Sequence, residues 1–303
     1  MSIAFICPGR DMSSWENLIK DYPVQSWPDI KNPGSVELII AWNAPANVWE
    51  SFNNLKLISS LGAGVDHLMK DDSLPDVPIV RVVDTNLSQH MSNYVIMAIL
   101  SHQRNFQLYF ENQIKQKWQP IMDVPKALNI GILGLGVLGR ALAQKLVALD
   151  YRVLGFSASK KHLEHVDTFE GVHGLAQMMK EVDVLVNLLP LTPKTKGILA
   201  MSLFKKASKP FYLINVARGK HLVERDLLRA LDEGLINGAC LDVFEKEPLP
   251  VNSALWSHPC ITITPHIASI TDPNSALAQI LDNYERQRQN RPLINQVDPL
   301  KGY

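Results

Sequence analysis

Three apolar runs in the second half of the chain end in residues able to do chemistry. They are Leu213-Ile214-Asn215-Val216-Ala217-Arg218-Gly219, Leu241-Asp242-Val243-Phe244 followed by Glu247-Pro248, and Thr262-Ile263-Thr264-Pro265-His266. A guanidinium grips a carboxylate in bidentate fashion and polarises a neighbouring carbonyl, a role open to Arg218. An imidazolium gives a proton to the alkoxide that forms when hydride adds to a carbonyl, a role open to His266. A carboxylate beside that imidazole favours its charged form and fixes its tautomer, a role open to Glu247. Each residue alone has a plainer reading: a satisfied core histidine, a surface arginine, a solvated carboxylate near Glu245. Their shared position at the carboxyl ends of strands, where open α/β sheets bind ligands, favours chemistry.

Hydride needs a donor. Gly134, Gly136 and Gly139 form G-x-G-x-x-G after the apolar run Leu128–Leu133 and before the stripe Ala141, Leu142, Leu146, Leu149. That strand–turn–helix context is what a dinucleotide fingerprint requires. Gly134 permits the tight turn, Gly136 the approach of a pyrophosphate, and Gly139 close packing of helix on sheet. The helix N-terminus then offers N–H groups and partial positive charge to phosphates. An NAD site carries Asp or Glu about 20 residues after the first glycine. Here Ser157, Ser159, Lys160 and Lys161 occupy that region, with no carboxylate between Asp150 and Glu164. Hydroxyls and lysines suit a 2′-phosphate, so NADP(H) is preferred and NAD(H) second; the plainer reading is a solvated basic loop. None of the seven tyrosines has Lys four residues on, which excludes a short-chain dehydrogenase pair.

Such groups need a scaffold that gathers strand ends. Before residue 90 the apolar runs Ile3–Ile6, Leu38–Ala41, Leu57–Leu61 and Ile79–Val83 alternate with amphipathic stretches. Near-continuous apolar strands with helical connections predict a parallel sheet buried on both faces. Ser88 to Trp118 has no Gly or Pro and is long for one helix, so a break or protruding arm is expected. Gln119 to Lys126, with Pro120 and Pro125, reads as a connector. A second series follows, with strands at Ala127–Leu133, Tyr151–Gly155, Val182–Leu188, Phe211–Val216, Gly238–Val243 and Ile261–Thr264. Asp272-Pro273 opens a last helix as N-cap and first-turn proline, with Leu277, Ile280, Leu281 and Tyr284 as its stripe.

At 303 residues the chain is long for one core, so two domains are expected. Apolar residues at 46% and charged residues at 20% are ordinary globular composition and exclude disorder. Lys+Arg and Asp+Glu are both 30, so no basic excess points to nucleic acid. No apolar run approaches the roughly 18–20 residues of a membrane helix. The start holds only a short apolar stretch, Ile3 to Cys7, and no basic region, so no secretory signal is expected. Cys7, Cys240 and Cys260 are odd in number and lack metal-type spacing. They read as small buried thiols in a reducing cytoplasm. His162-x-x-His165 with His173 reads as a solvated face and His258 with Cys260 as a strand-entry turn, so no metal is expected.

Together these motifs, with the upstream Leu61-Gly62-Ala63-Gly64-Val65-Asp66, resemble the D-isomer-specific 2-hydroxyacid dehydrogenase family over nearly the whole chain. Trp42, Leu188–Pro193, Glu247–Pro250, Ile261–His266 and the ending Gln296-Val297-Asp298 with Gly302-Tyr303 are similar to the branch that reduces glyoxylate and hydroxypyruvate. The resemblance implies an α/β protein. A Rossmann dinucleotide-binding domain would span 96–270, and a flavodoxin-like substrate domain would join 1–95 and 271–303, with the site in the cleft between. It implies an NADPH-dependent oxidoreductase taking glyoxylate to glycolate and hydroxypyruvate to D-glycerate. Arg218 would bind the substrate carboxylate and carbonyl, His266 would be the proton donor and Glu247 its partner. The backbone of Ala63 and Gly64 would hold the carboxylate, and Trp42 would line the pocket. Asp242 would hold the nicotinamide carboxamide, and Asp66 would support its loop. Further cofactor contacts are implied at Val137, Leu138, Ser157, Ser159, Lys160, Pro190, Thr195, Val216 and Ala217. The long helix would serve a homodimer interface, with no nucleic-acid or membrane partner. This sequence departs from the family at Asn93, where many members have Glu, and in lacking Arg near Ala158. Asn43 beside Trp42 bears on the choice of substrate. One alternative is another 2-oxo acid; the wide spacing of Arg10, Lys20, Lys31, Lys56, Lys70 and Arg81 argues against a phosphate-bearing one. The other is a non-catalytic dinucleotide-sensing corepressor, against which the intact Arg, Glu and His argue.

Overall fold

The structure, a computed structural model, describes residues 1–123 and 126–298. Pro125 of the expected connector and the ending Gly302-Tyr303 lie outside the described residues. The first elements are β1 (Ser2–Ile6), α1 (Ser13–Glu16), β2 (Val24–Ser26), β3 (Val36–Ala41), β4 (Leu57–Ser60), α2 (Asp66–Met69) and β5 (Ile79–Val80). Next come α3 (Thr85–Gln103), α4 (Phe106–Ile114), β6 (Asn129–Leu133), α5 (Val137–Ala148), β7 (Arg152–Ser157), β8 (Val166–Glu170) and α6 (Gly171–Met179). The chain continues through β9 (Val184–Asn187), α7 (Met201–Phe204), β10 (Phe211–Asn215), α8 (Glu224–Asp232), β11 (Ile236–Leu241), β12 (Ile261–Ile263) and α9 (Pro273–Arg288).

The chain divides into two compact units: Met1–Leu87 with the chain from Thr271, and Ser88–Ile270. The first passage falls inside α3, after Leu87, rather than after residue 95. The reason is packing. Leu87 is buried in the core of the first unit, whereas Met91, Tyr94, Val95, Ala98 and Ile99 are buried in that of the second.

In the first unit the sheet order is β2-β1-β3-β4-β5 and every pairing is parallel. That is the flavodoxin-like order. β1 and β3 are buried along their whole length, as apolar runs covered on both faces must be. Asp272 caps α9 by accepting the Ser275 N–H at 3.1 Å, and Leu277, Ile280 and Tyr284 sink into the core. The expected strand through Val83 stops at Val80. The Arg81 N–H instead donates to Asn295 O, and that of Val82 to Gly62 O.

In the second unit the order is β12-β11-β10-β9-β6-β7-β8, again all parallel. Counted from β6, this is the dinucleotide-binding order with one strand added at the edge. Its topological switch lies between β6 and β9, so their carboxyl ends open the ligand crevice. The long helical stretch breaks at Asn105, which takes φ +56° between α3 and α4. Cys7 and Cys240 are buried, but Cys260 is exposed, a correction to the expectation of three buried thiols. It sits in the turn entering β12, where the chain has not yet joined the sheet. Among the described residues no helix is long and apolar enough to cross a membrane.

Candidate active site

Of the site residues the sequence singled out, Trp42, Asn43, Ala63, Gly64 and Asp66 belong to the first unit and the others to the second. In the second unit the glycine loop joins β6 to α5. Gly134 has φ +104°, and a Cβ there would stand 2.7 Å from Leu188 O. A Cβ on Gly139 would stand 1.9 Å from Gly134 O, so only glycine lets α5 begin so close to the strand. Gly136 differs: a Cβ there would meet nothing within 4 Å, and the residue is exposed. Gly136 is also the N-cap of α5, and no side chain caps it. Open space before uncapped N–H groups is the shape a phosphate fills. Val137 and Leu138 form the first turn of that helix.

At the end of β7 Ser157 donates its hydroxyl proton to Ser159 O at 2.6 Å, which tightens the loop carrying the exposed Lys160. Beyond β9, Pro190 O accepts from the Thr195 hydroxyl at 2.6 Å, closing the loop that both residues share.

β10 delivers Arg218. The Asn215 side-chain amide donates to Arg218 O at 3.2 Å and its carbonyl accepts the Ala217 N–H at 3.4 Å. Val216 and Ala217 are buried, and the Arg218 Nη1 donates to Ala217 O at 2.7 Å. Gly219 must be glycine, because a Cβ would lie 1.8 Å from the Phe244 carbonyl carbon. That close approach brings Arg218 beside the segment that carries Glu247.

His266 is held in a turn after β12 with φ +57°, a region that residues other than glycine rarely occupy. Its N–H donates to Asp242 O at 2.8 Å and Thr264 O at 3.1 Å. The buried Asp242 carboxylate accepts the N–H groups of Ile267 and Ala268, each at 2.8 Å, and the Thr264 hydroxyl at 2.6 Å. The turn is thus over-determined, as a strained functional residue requires. Glu247 accepts the Phe244 N–H at 3.0 Å with Oε1 and faces the His266 Nδ1 at 2.8 Å with Oε2. Burial pushes the Glu247 carboxyl up. The hydrogen bonds from His266 and Phe244, with the charges of His266 and Arg218, outweigh burial and hold it below the usual carboxylate range. With Nδ1 on Glu247, Nε2 is the ring nitrogen left to serve a ligand, and no hydrogen bond engages it among the described residues.

In the first unit Trp42 follows β3, and Ala63 and Gly64 lie on the loop between β4 and α2. A Cβ on Gly62 would lie 3.2 Å from the Trp42 ring, so the loop and the indole are in contact. Arg81 Nη1 reaches Ala63 O at 3.5 Å, and the Arg10 guanidinium lies 4.9 Å above the Trp42 ring.

The profile described as D-isomer specific 2-hydroxyacid dehydrogenase, NAD binding domain, matches residues 96–268. The chain belongs to the D-isomer-specific 2-hydroxyacid dehydrogenase family. It is 39% identical to glyoxylate/hydroxypyruvate reductase A of Serratia proteamaculans over the full length of both chains. Among solved structures it is similar to the family member from Xanthobacter autotrophicus in complex with NADPH and MES. That likeness has TM-score 0.93 and 36% identity and covers 100% of this chain and 99% of the other. The NADPH-dependent glyoxylate/hydroxypyruvate reductase of Sinorhizobium meliloti, solved with NADP and sulfate, gives TM-score 0.93 and 34% identity with the same coverage.

Several residues that hold the loops of this candidate site were not singled out in the sequence. His221, buried, accepts from the Asn187 amide at Nδ1 (2.9 Å) and reaches Pro190 O with Nε2 (3.2 Å). The Asn187 amide also donates to Asn215 Oδ1 at 3.0 Å, which links the Arg218 and Pro190 loops. The Tyr94 hydroxyl lies 2.5 Å from Thr264 Oγ1 and 3.3 Å from Cys240 Sγ, backing the Asp242 anchor from α3. A signal was present: Asn187 and Asn215 are polar residues closing otherwise apolar strands.

Proposed function

We propose that the chain is an NADPH-linked reductase of small 2-oxo acids, with glyoxylate and hydroxypyruvate foremost. The observation that carries this reading is the His266–Glu247 pair, at 2.8 Å on Nδ1 with Nε2 left for a ligand, on a turn fixed by Asp242. The names of its full-length relatives support the substrate class, and the NADPH and NADP in similar structures support the cofactor. The cradle at Gly136 fits a dinucleotide phosphate, and Asp242 keeps acceptor capacity for a carboxamide beyond the three donors it already serves. Ser159 and Lys160 would face the 2′-phosphate, with Val137 and Leu138 at the pyrophosphate and Pro190, Thr195, Val216 and Ala217 lining the remainder. NADH would serve as the weaker alternative.

In this reading the first unit is the substrate domain and the second the dinucleotide domain. When bound, NADPH supplies the hydride that adds to the keto carbon. Arg218 orients the substrate carboxylate and polarises its carbonyl. The N–H groups of Ala63 and Gly64 hold the carboxylate, and Trp42 bounds the pocket. His266 releases its Nε2 proton to the oxygen as charge develops there. Glu247 keeps the imidazole in the tautomer and orientation that present Nε2. The protein would act as a cytoplasmic homodimer.

Loss of NADPH absorbance with glyoxylate, hydroxypyruvate and pyruvate, each repeated with NADH, tests the reading. Fast turnover on the first two, chiefly with NADPH, is expected. Turnover with NADH alone would discard the cofactor assignment, and silence with every pair would discard the reductase.

A further inference from the structure

We infer that His67 is a positioning residue for the substrate loop, tying the Trp42–Asn43 turn to the Gly62–Gly64 backbone. The inference rests on the reductase reading, in which that loop holds the substrate carboxylate. His67 lies in the short helix α2, buried to 5% exposure, and all its contacts named here are within the first unit. The Asn43 backbone N–H donates to His67 Nδ1 at 3.2 Å. A backbone N–H can only donate, so Nδ1 is unprotonated and the ring proton of the neutral imidazole is on Nε2. Nε2 lies 3.1 Å from Ser60 Oγ, and the Ser60 hydroxyl donates in turn to Gly64 O at 2.7 Å. Every proton in this chain has one direction: Asn43 N–H to His67, His67 to Ser60, Ser60 to Gly64. Moving the ring proton to Nδ1 would set it against the Asn43 N–H, two donors face to face.

The ring also acts as a shelf. The indole of Trp42 lies against it, with centroids 4.6 Å apart and planes tilted by 49°. Asn43, whose N–H meets the imidazole, has φ +50°, a conformation asparagine tolerates better than most residues. One buried side chain thus sets the wall of the pocket and the carbonyl of the loop that grips the carboxylate. The contacts named here reach the Trp42–Asn43 turn and the Gly64 loop, so the effect expected of His67 is on where the substrate binds.

The test compares wild type with His67→Leu, Ser60→Ala and His67→Gln, in steady state on glyoxylate at saturating NADPH, with NADPH affinity measured by fluorescence. His67→Leu should raise KM for glyoxylate about tenfold, the equivalent of one buried hydrogen-bond link, with kcat and NADPH affinity unchanged. Ser60→Ala should move KM in the same direction, and His67→Gln, with an amide able to accept and donate, should recover part of the loss. An unchanged KM in folded His67→Leu would overturn the inference, as would NADPH affinity falling in parallel with KM. If His67→Leu does not fold, Ser60→Ala decides alone, and an unchanged KM there overturns it. Wild-type protein inactive on every 2-oxo acid would overturn the reductase reading and this inference with it. Active wild type with indifferent variants would overturn this inference only.

Discussion

At the scale of single residues the Glu247–His266 contact, in the proposed reading, would set the acid limit of reduction. The Glu247 carboxyl is held below its ordinary 4.5, so the pair's stabilisation is fully present above that value and lost only as pH falls through the lowered one. Reduction should therefore hold on the acid side down to below 4.5. A rate profile from about pH 5 to about pH 9 checks this, and an acid limb above pH 5 would remove Glu247 from the pair. Glu247→Gln keeps the shape but not the charge. Reductive kcat should drop about tenfold or more while NADPH affinity stays, and retained turnover would show that the carboxylate is not needed. The Glu247–His266 contact and the place of Arg218 just after β10 were legible in the sequence, because those residue types stand at the ends of apolar runs. Asn187, His221 and Tyr94 were not, because their partners lie 28, 34 and 170 positions away and only the fold brings them together.

At the scale of elements, two glycines separate the needs of the ligand from those of the fold. Gly219→Ala would drive a methyl into the Phe244 carbonyl carbon, 1.8 Å from the ideal Cβ, and should cost about 3 kcal/mol or more. A variant melting within about 2 °C of wild type would refute that close approach. Gly136→Ala meets no protein atom, so its melting should barely move while NADPH affinity weakens about tenfold or more. Calorimetric titration reads that difference, and unchanged affinity would take the cradle away from the phosphate. The same edge of the sheet holds Glu170, which the parallel register sets beside Ser157. In the proposed reading its exposed carboxylate would oppose a 2′-phosphate held at Ser159 and Lys160. Glu170→Gln should raise kcat/KM for NADPH relative to NADH by about threefold, and an unmoved ratio would place Glu170 outside the cofactor's field. Neither β8 nor β2 stood out in the sequence. Both are sheet-edge strands, only partly buried, and they lack the apolar run that marked β1, β3 and β10. The central strands and the Asp272 cap were legible because burial on both faces and capping leave direct residue signatures.

At the scale of the whole molecule, the second unit carries apolar surface that its own core does not cover. Phe106, Phe110 and Ile114 recur every fourth residue on α4, and Trp118 continues the spacing beyond it. All four are exposed, Ile114 at 83% and Trp118 at 99%. A stripe of this kind on one helix face resembles the core-facing side of an amphipathic helix with nothing over it. Soluble monomers rarely present so much contiguous apolar surface, and a second copy is the simplest cover, since a two-fold axis sets the same patch against itself. In the homodimer proposed above, this stripe would form the interface. Phe110→Asp and Ile114→Asp should each shift the protein from dimer to monomer in sedimentation at micromolar concentration. Both side chains are already exposed, so neither change opens a cavity in the protomer, and NADPH binding at the glycine loop should survive in the monomer. Melting should become lower and independent of protein concentration, because association no longer adds to folding. A wild type that sediments as a monomer would remove the proposal, and a dimer indifferent to both substitutions would move its interface to another surface.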